Sequence, residues 1–140
     1  MNALTRRLAT VGSALAMAGS SLLLASSPAS AATSCYAAGC TGLDPSTTIC
    51  QNDARTVSVS DRFGVELRYS PTCRAAWARA TPGSDAPMLV GVQNTRGDAY
   101  TTYTTGAAYR WTQMVNDKDI EARGYGFKEV GAQYGFTAWY

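Results

Sequence analysis

The stretch "FGVELRYSPTCRAAWARA", residues 63–80, decides the fold class of this chain. Its first half alternates apolar and polar side chains, which is typical of a β-strand with one buried face. Ser70-Pro71 ends that strand, and "RAAWARA" follows as a short run that Pro82-Gly83 limits. The spacing of this second run fits either a helix or a strand, and we favour a strand. The stretch therefore predicts two strands joined by a turn.

Further short runs of the same kind follow along the chain. They are rich in valine, threonine and aromatic residues and are separated by glycine, asparagine and aspartate. The runs outside the first stretch are "TVSVS", "PMLVGVQN", "AYTTYTT", "YRWTQMV", "IEARGYGFKE" and "QYGFTAWY". About seven or eight short strands without a long helical pattern predict an all-β fold, a small disulfide-stapled sandwich or barrel. Residues 32–55 should form a loop-rich N-terminal cap, in which Asp44 can cap a turn at Pro45.

The N-terminus has the three regions of a secretory signal peptide. Arg6 and Arg7 supply the positive region, residues 8–25 are apolar and small, and Ala29-Ser30-Ala31 fits the cleavage pattern. A membrane anchor is the alternative, but glycines and serines interrupt the apolar stretch and no stop-transfer charges follow it. We predict a signal peptide at residues 1–31 and a single secreted, extracellular β domain at residues 32–140. No later run is long enough for a membrane span.

The charge balance argues against a nucleic-acid partner. The chain has twelve basic and ten acidic residues, and two of the basic residues, Arg6 and Arg7, belong to the predicted signal peptide. The predicted secreted domain is therefore formally neutral. Nucleic-acid binding depends on basic residues that neutralise phosphates, so we expect no such partner.

The four cysteines all lie in the predicted secreted domain. An even number in a small exported domain indicates disulfides, and three pairings are possible. We favour Cys35–Cys40 with Cys50–Cys73, because Cys50 lies just before a strand that should pair beside the one ending at Tyr69. A nucleophilic role for Cys73 would need a base such as histidine, and the chain has no histidine. We therefore interpret all four cysteines as structural.

The absence of histidine also limits the possible enzymes. It removes Ser-His-Asp and Cys-His catalysis and the usual zinc motifs, so we assign no catalytic residue, metal or cofactor. Paired carboxylates remain as an alternative, since glycoside hydrolysis needs only two of them. Glu66, Glu121 and Glu129 are the candidates for such a hydrolase.

The segment "NDKDIE" holds the densest group of side-chain oxygens. Its members are Asn116, Asp117, Asp119 and Glu121. These ligand types suit calcium, but an EF-hand loop would need glycine at Ala122 and glutamate at Lys128. We therefore predict a solvated hairpin tip without a bound metal.

Aromatic residues are concentrated towards the C-terminus. Ten of the fourteen lie after residue 99: Tyr100, Tyr103, Tyr109, Trp111, Tyr125, Phe127, Tyr134, Phe136, Trp139 and Tyr140. We expect most of them to fill the core, and the alternative is a binding strip on the surface. Trp139 and Tyr140 are the candidate ligand-binding residues, because a chain terminus is often exposed.

Several short motifs resemble the YjfA-type family of small secreted bacterial proteins, a domain of unknown function. The matching motifs are Cys40-x-Gly42-x-Asp44-Pro45, Cys50 with Asp53-Ala54, Leu67-Arg68-Tyr69-Ser70, Cys73, Trp77-Ala78-Arg79 and Met114-Val115. The resemblance implies a small exported protein, found widely in Gram-positive and especially high-GC bacteria. It implies no catalytic residues.

These observations favour a secreted, non-enzymatic domain that binds an unknown glycan or protein of the cell envelope. The alternatives are the carboxylate hydrolase, acting on polysaccharide, and a secreted inhibitor or competition factor that acts on a partner protein. Two acids converging in a cleft would indicate the hydrolase, whereas exposed aromatic side chains on a flat or grooved face would indicate a binding domain.

We predict that the mature protein begins at Ala32 and accumulates in the culture supernatant, because signal peptidase cleaves after a small-x-small pattern. Intact-mass measurement of the secreted protein checks this prediction. A secreted form that retains residues 1–31 would contradict it.

Overall fold

The computed structural model describes residues 31–140, so the predicted signal peptide lies outside it except for Ala31. Three short 3₁₀ turns, Ala37–Cys40, Pro45–Thr47 and Ile49–Asn52, precede the strands. The strands are β1 Arg55–Val59, β2 Val65–Ser70, β3 Ala75–Ala80, β4 Met88–Asn94, β5 Ala99–Thr104, β6 Arg110–Trp111, β7 Val115–Asn116, β8 Ala122–Lys128 and β9 Gln133–Phe136. Within residues 31–140, no helix is long and apolar enough to cross a membrane.

The strands form two antiparallel sheets. The first sheet has the order β1-β2-β3-β6, with β7 also paired to β3, and the second has the order β5-β4-β8-β9. The described strands do not join into a closed barrel. The predicted all-β fold is confirmed, and its form is the sandwich.

The stretch that decides the fold forms the centre of the first sheet. β2 and β3 pair antiparallel, with Leu67 opposite Ala78, so the ambiguous run "RAAWARA" is a strand. It lacks a clear alternation because both of its faces are buried. Ala76 and Ala78 face the second sheet, whereas Trp77 packs beneath the N-terminal cap.

The two sheets pack face to face through small and aliphatic side chains. The first sheet and its β1–β2 loop contribute Phe63, Val65, Leu67, Tyr69, Ala76, Ala78 and Ala80, and the second contributes Met88, Val90, Val92 and Ala122. Gly126 on β8 leaves room for a ring from the opposite side. A Cβ atom at this position would lie 2.9 Å from Cδ2 of Phe63. Any larger residue at Gly126 would therefore displace the Phe63 ring.

The expectation that the C-terminal aromatic residues fill the core is wrong. None of the ten aromatic residues after residue 99 is buried. The physical reason is their position in the strands. On β8 the inward positions are Ala122, Gly124 and Gly126, and the residues between them point the other way.

The run "YRWTQMV" forms two strands, β6 and β7, which brings the number of strands to nine. Between them the chain turns towards the cap. The Met114 amide donates to the Leu43 carbonyl at 3.0 Å, and the Met114 carbonyl accepts from the Gly42 amide at 2.9 Å. The predicted single strand is divided because the backbone groups of Met114 form hydrogen bonds with the cap instead of with a neighbouring strand.

Two disulfides stabilise the cap: Cys35–Cys40 closes a loop within it, and Cys50–Cys73 fastens it to the turn between β2 and β3 of the first sheet. Cys35 pairs with Cys40 and Cys50 pairs with Cys73, the pairing that the sequence analysis favours. The sulfur-bearing residues pack with Trp77 and Met114 in a second small core. Disulfides and this core therefore keep the cap on the sheet.

We predict that the two disulfides contribute unequally to stability. The double variant Cys50→Ala/Cys73→Ala removes the disulfide that closes the longer loop and should lower the free energy of unfolding by about 3.5 kcal/mol. The double variant Cys35→Ala/Cys40→Ala should lower it by about 2 kcal/mol. The longer loop restricts the unfolded chain more strongly. Urea unfolding of the two double variants measures the difference, and an equal loss or the reverse order would contradict the prediction.

Candidate functional site

The outward side of the second sheet carries most of the C-terminal aromatic residues. Residues directly opposite each other in an antiparallel sheet point to the same face. The register aligns two rows across the strands, Tyr103–Leu89–Phe127–Tyr134 and Thr101–Gly91–Tyr125–Phe136. The aromatic face consists of Leu89, Tyr103, Tyr125, Phe127, Tyr134 and Phe136. These side chains come from all four strands of the second sheet.

Tyr134 connects the rings of the aromatic face. Its ring is stacked on that of Phe136, with centroids 5.5 Å apart and planes inclined by 5°. The Phe127 centroid lies 4.5 Å away and the Tyr125 centroid 6.2 Å away. Aromatic pairs at such separations stabilise one another by about 0.5–1.5 kcal/mol each. The rings therefore support one another although no further layer of residues 31–140 covers them.

Tyr125 lies above the backbone of the neighbouring strand. A Cβ atom on Gly91 would stand only 2.1 Å from Cζ of Tyr125, so the ring fills the space that a side chain at residue 91 would need. Burial raises the pKa of the Tyr125 hydroxyl. Gly91 thus permits the ring to lie close to the sheet, which keeps the aromatic face flat at this point.

The aromatic face is open to solvent at both of its sides. Tyr103 is 56% exposed and Tyr134 is 50% exposed. A depression of about 370 Å³ lies beside Leu89, Tyr103 and Phe127, with Lys128 and Glu129 on its rim. Contiguous exposed apolar surface of this kind marks interaction sites in proteins. The arrangement offers stacking surfaces and no nucleophile or paired acids.

The aromatic face corresponds to the surface binding strip that was the alternative to core packing, and the sequence contains a signal that favours this alternative. In "ARGYGFK" small residues alternate with larger ones, so Ala122, Gly124 and Gly126 belong to one face of the strand and Arg123, Tyr125 and Phe127 to the other. An inward face of alanine and glycine indicates that the large side chains of the same strand point to solvent.

The two predicted binding residues, Trp139 and Tyr140, lie in different surroundings. The Arg123 guanidinium lies 4.5 Å from the Trp139 ring and 4.1 Å from the Phe136 ring, which connects Trp139 to the margin of the aromatic face. Tyr140 instead packs on Tyr69, with ring centroids 5.1 Å apart. Its backbone pairs with Ala122 in both directions at 3.0 Å. The structure thus brings Trp139, but not Tyr140, next to the candidate site.

The prediction of a solvated acidic hairpin tip is wrong for Asp117. This residue is 5% exposed, and neither carboxylate oxygen has a hydrogen-bond partner among the described residues. Burial raises its pKa from 3.8 to about 7, while the charge of Arg74 opposes the shift and that of Glu121 adds to it. Asp119 is exposed and pairs with Arg74 at 3.2 Å and Lys118 at 2.9 Å. The chain folds the first acid of the cluster inwards because the Asp117 amide donates to the Arg74 carbonyl.

The candidate carboxylates of a hydrolase lie on different parts of the fold. Glu66 is on β2 and accepts from Arg79 at 2.7 Å. Glu121 and Glu129 flank the two ends of β8, which at about 3.3 Å per residue separates them by roughly 26 Å. That exceeds the carboxylate separation of glycoside hydrolases, which is at most about 9.5 Å.

The described residues bring together one group of three or more potential metal ligands, the four cysteine sulfurs. They lie within 4.8 Å of one another, but each is already bonded to a second sulfur. Asp117, Asp119 and Glu121 form no such group in residues 31–140. The absence of a metal site at the acidic segment stays a prediction.

We predict that Asp117→Asn raises the free energy of unfolding at pH 8 by about 2–4 kcal/mol and changes it little at pH 4. The folded protein holds the Asp117 proton up to about pH 7, whereas the unfolded chain releases it near 3.8. Wild-type stability therefore falls as pH rises through this window, and the amide removes that loss. Urea unfolding at both pH values measures the effect.

Asp119→Asn is the matched control for this prediction. The hydrogen bond from Lys118 lowers the pKa of Asp119, so its contribution to stability is present at pH 8 and is lost as pH falls. This variant should not be more stable than the wild type at pH 8. A pH dependence of Asp117→Asn that matches the wild type would contradict the account of the buried acid.

Comparison with known proteins gives a family and no function. The family described as "Protein of unknown function (DUF2690)" matches residues 38–124. This span contains β1 to β7 and the first part of β8, and it ends before Tyr134 and Trp139. No curated protein matches the chain, and no solved structure does. With more than half of its length matched, the chain belongs to the family of proteins of unknown function DUF2690.

Proposed function

We propose that the protein is a secreted, non-enzymatic domain that binds a polysaccharide of the cell envelope through its aromatic face. The observation that carries the proposal is the outward orientation of six apolar side chains of one sheet, five of them aromatic, with Tyr103 and Tyr134 about half exposed. The resemblance to YjfA-type secreted proteins, the N-terminal targeting pattern and the disulfides support an extracellular place of action.

The chemistry of the aromatic face suits a sugar ring. Tyrosine and tryptophan offer flat apolar area at little entropic cost, together with a polar group at the edge. Side chains beside the rings can bind hydroxyl groups: Thr101 lies in the row of Tyr125, and Gln93 lies opposite Arg123. Flat rings with hydrogen-bonding groups at their margin support binding to an extended chain of sugars.

A protein partner is a weaker candidate for the aromatic face. Protein interfaces also use exposed tyrosine and tryptophan, but they commonly bury about 800 Å² on each partner around a packed centre. The two exposed rings, Tyr103 and Tyr134, lie at opposite ends of one row that crosses all four strands of the second sheet. A row of rings across a sheet favours a polymer that lies along it.

A second candidate function is hydrolysis, and one observation favours it. Asp117 has a pKa of about 7, as a general acid requires, and shares a depression of about 380 Å³ with Asp119 and Glu121. However, both carboxylate oxygens of Asp117 are closed off from solvent. A general acid must reach the leaving-group oxygen, so we favour a binding function over a hydrolytic one.

We expect purified residues 32–140 to sediment with insoluble cell-wall polysaccharide, and Tyr103→Ser/Tyr134→Ser to weaken this binding at least about tenfold. Loss of a stacked ring removes on the order of 1 kcal/mol of binding free energy, and two rings are removed here. Quantitative co-sedimentation with wall material, before and after its protein has been digested, measures the binding.

Tyr36→Ser is the matched control for the double variant. Tyr36 is 53% exposed but lies on the cap, away from the aromatic face, so its loss should leave binding unchanged. Thermal midpoints of all variants that stay well above the temperature of the binding assay exclude unfolding. Binding that survives the double substitution, or that disappears when wall protein is digested, would contradict the proposed polysaccharide site. Release of reducing sugars by the wild type but not by Asp117→Asn would favour the hydrolase.

A further inference from the structure

A second cavity lies between the cap and the first sheet, on the opposite side of the sandwich from the aromatic face. It has a volume of about 310 Å³. Arg68 of β2 and Trp77 and Arg79 of β3 line it from the sheet, and Tyr109 and Trp111 line it from the segment around β6. The cap contributes residues of its second and third 3₁₀ turns, including Gln51. This cap cleft is thus built from three separate parts of the chain.

The residues that line the cap cleft include two arginines, Arg68 and Arg79, and no acidic residue. Arg79 donates to Glu66 at 2.7 Å, and this pair is neutral. Arg68 donates to the Thr56 hydroxyl and the Ala54 carbonyl, both at 2.8 Å, and forms no ion pair among residues 31–140. Arg79 therefore has a carboxylate within ion-pair distance, and Arg68 has none among these residues.

The surroundings of Arg68 disfavour its charge. Burial lowers the pKa of the guanidinium, and the nearby charge of Arg79 lowers it further, while the charge of Glu66 opposes the shift. The Arg68 Nε atom has no hydrogen-bond partner among the described residues and is closed off from solvent, so a ligand can contact only the terminal nitrogens of the guanidinium. Buried charge is ordinarily paired in proteins. An anion bound in the cap cleft would supply the negative partner charge that Arg68 lacks among residues 31–140.

The aromatic wall of the cap cleft is fixed in position. The Trp111 indole donates to Asp44 at 2.9 Å, and Asp44 in turn accepts from the Ser46 amide at 2.9 Å. Tyr109 is held by the Arg79 guanidinium, which lies 5.0 Å from its ring centroid. Trp111 is 37% exposed and Tyr109 is 47% exposed. Rings held in this way lose little freedom when a flat ligand stacks on them.

We propose that the cap cleft binds the carboxylate of an acidic sugar, with the carboxylate beside Arg68 and Arg79 and the sugar ring against Trp111. Arginine is suited to carboxylates because its planar group donates two parallel hydrogen bonds. The proposal rests on the proposed function only in taking the ligand to be a glycan, since the cap cleft and the aromatic face share no residue.

The experiment compares an oligogalacturonate with its methyl ester, the matched neutral ligand, and with inorganic phosphate. Isothermal titration calorimetry measures affinity, and the Trp111 indole N–H signal in nuclear magnetic resonance spectra reports occupancy of the cap cleft. We expect the acid to bind at least about tenfold more tightly than the ester, as hydrogen bonds between charged groups imply. The affinity for the acid should fall as salt is added.

Variants then assign the binding to the cap cleft. Arg68→Gln should weaken binding of the acid at least about tenfold and leave that of the ester unchanged, and Arg68→Lys should restore part of the loss. Arg96→Gln, an exposed arginine on the turn between β4 and β5, is the control and should have no effect. Tyr103→Ser/Tyr134→Ser should also leave this affinity unchanged, which separates the cap cleft from the aromatic face.

Three results would overturn the proposal: equal affinities for acid and ester, tighter binding of phosphate than of the acid, or an Arg68→Gln variant that binds the acid as the wild type does. If Arg68→Gln does not fold, the comparison of acid, ester and phosphate on the wild-type chain decides. Failure of the wall co-sedimentation alone would reject the aromatic face and leave the cap cleft standing.

Discussion

The close approach of β3 and β8 across the core is the contact on which the rest of the structure depends. A Cβ atom on Gly124 would lie 3.4 Å from the Cβ of Ala78, so the two sheets meet here through their smallest residues. Because protein interiors are densely packed, no larger side chain fits between the two strands at this point. With Ala122, Gly124 and Gly126 facing inwards, the large side chains of β8 must point to solvent.

That constraint gives the two sheets different outward sides. The first sheet buries Trp77 beneath the cap, which the Cys50–Cys73 bond ties to the turn between β2 and β3. Arg68 and Arg79 of the same sheet line the cleft at the edge of the cap. The second sheet has no such cover among the described residues, and its rings support one another around Tyr134. The outward side of the first sheet is thus a cleft lined by arginine and aromatic side chains, whereas that of the second sheet is an open aromatic face.

Local alternation in the sequence predicted the strands well, because each strand's own residues determine it. The pairing of Cys50 with Cys73 followed from the same reasoning, since β1 pairs with β2. Residue type alone gave the wrong burial where contacts with residues distant in the sequence decide whether a side chain is buried. Tyr125 is apolar enough for a core, but the glycines beside it fill the inward positions. Asp117 looks solvated in the sequence, yet backbone pairing with Arg74 carries it into the interior.

The proposed binding function requires that the rings of the aromatic face point to solvent and that a glycan covers them when it binds. Paramagnetic relaxation of tyrosine ring protons by a soluble gadolinium chelate measures both, when recorded with and without solubilised wall polysaccharide. We expect strong relaxation at Tyr103 and Tyr134 and weak relaxation at Tyr69, which is 8% exposed. Added polysaccharide should reduce relaxation at the first two residues only. Rings of Tyr103 and Tyr134 that are as protected as Tyr69, or that stay fully exposed in the presence of polysaccharide, would contradict the account.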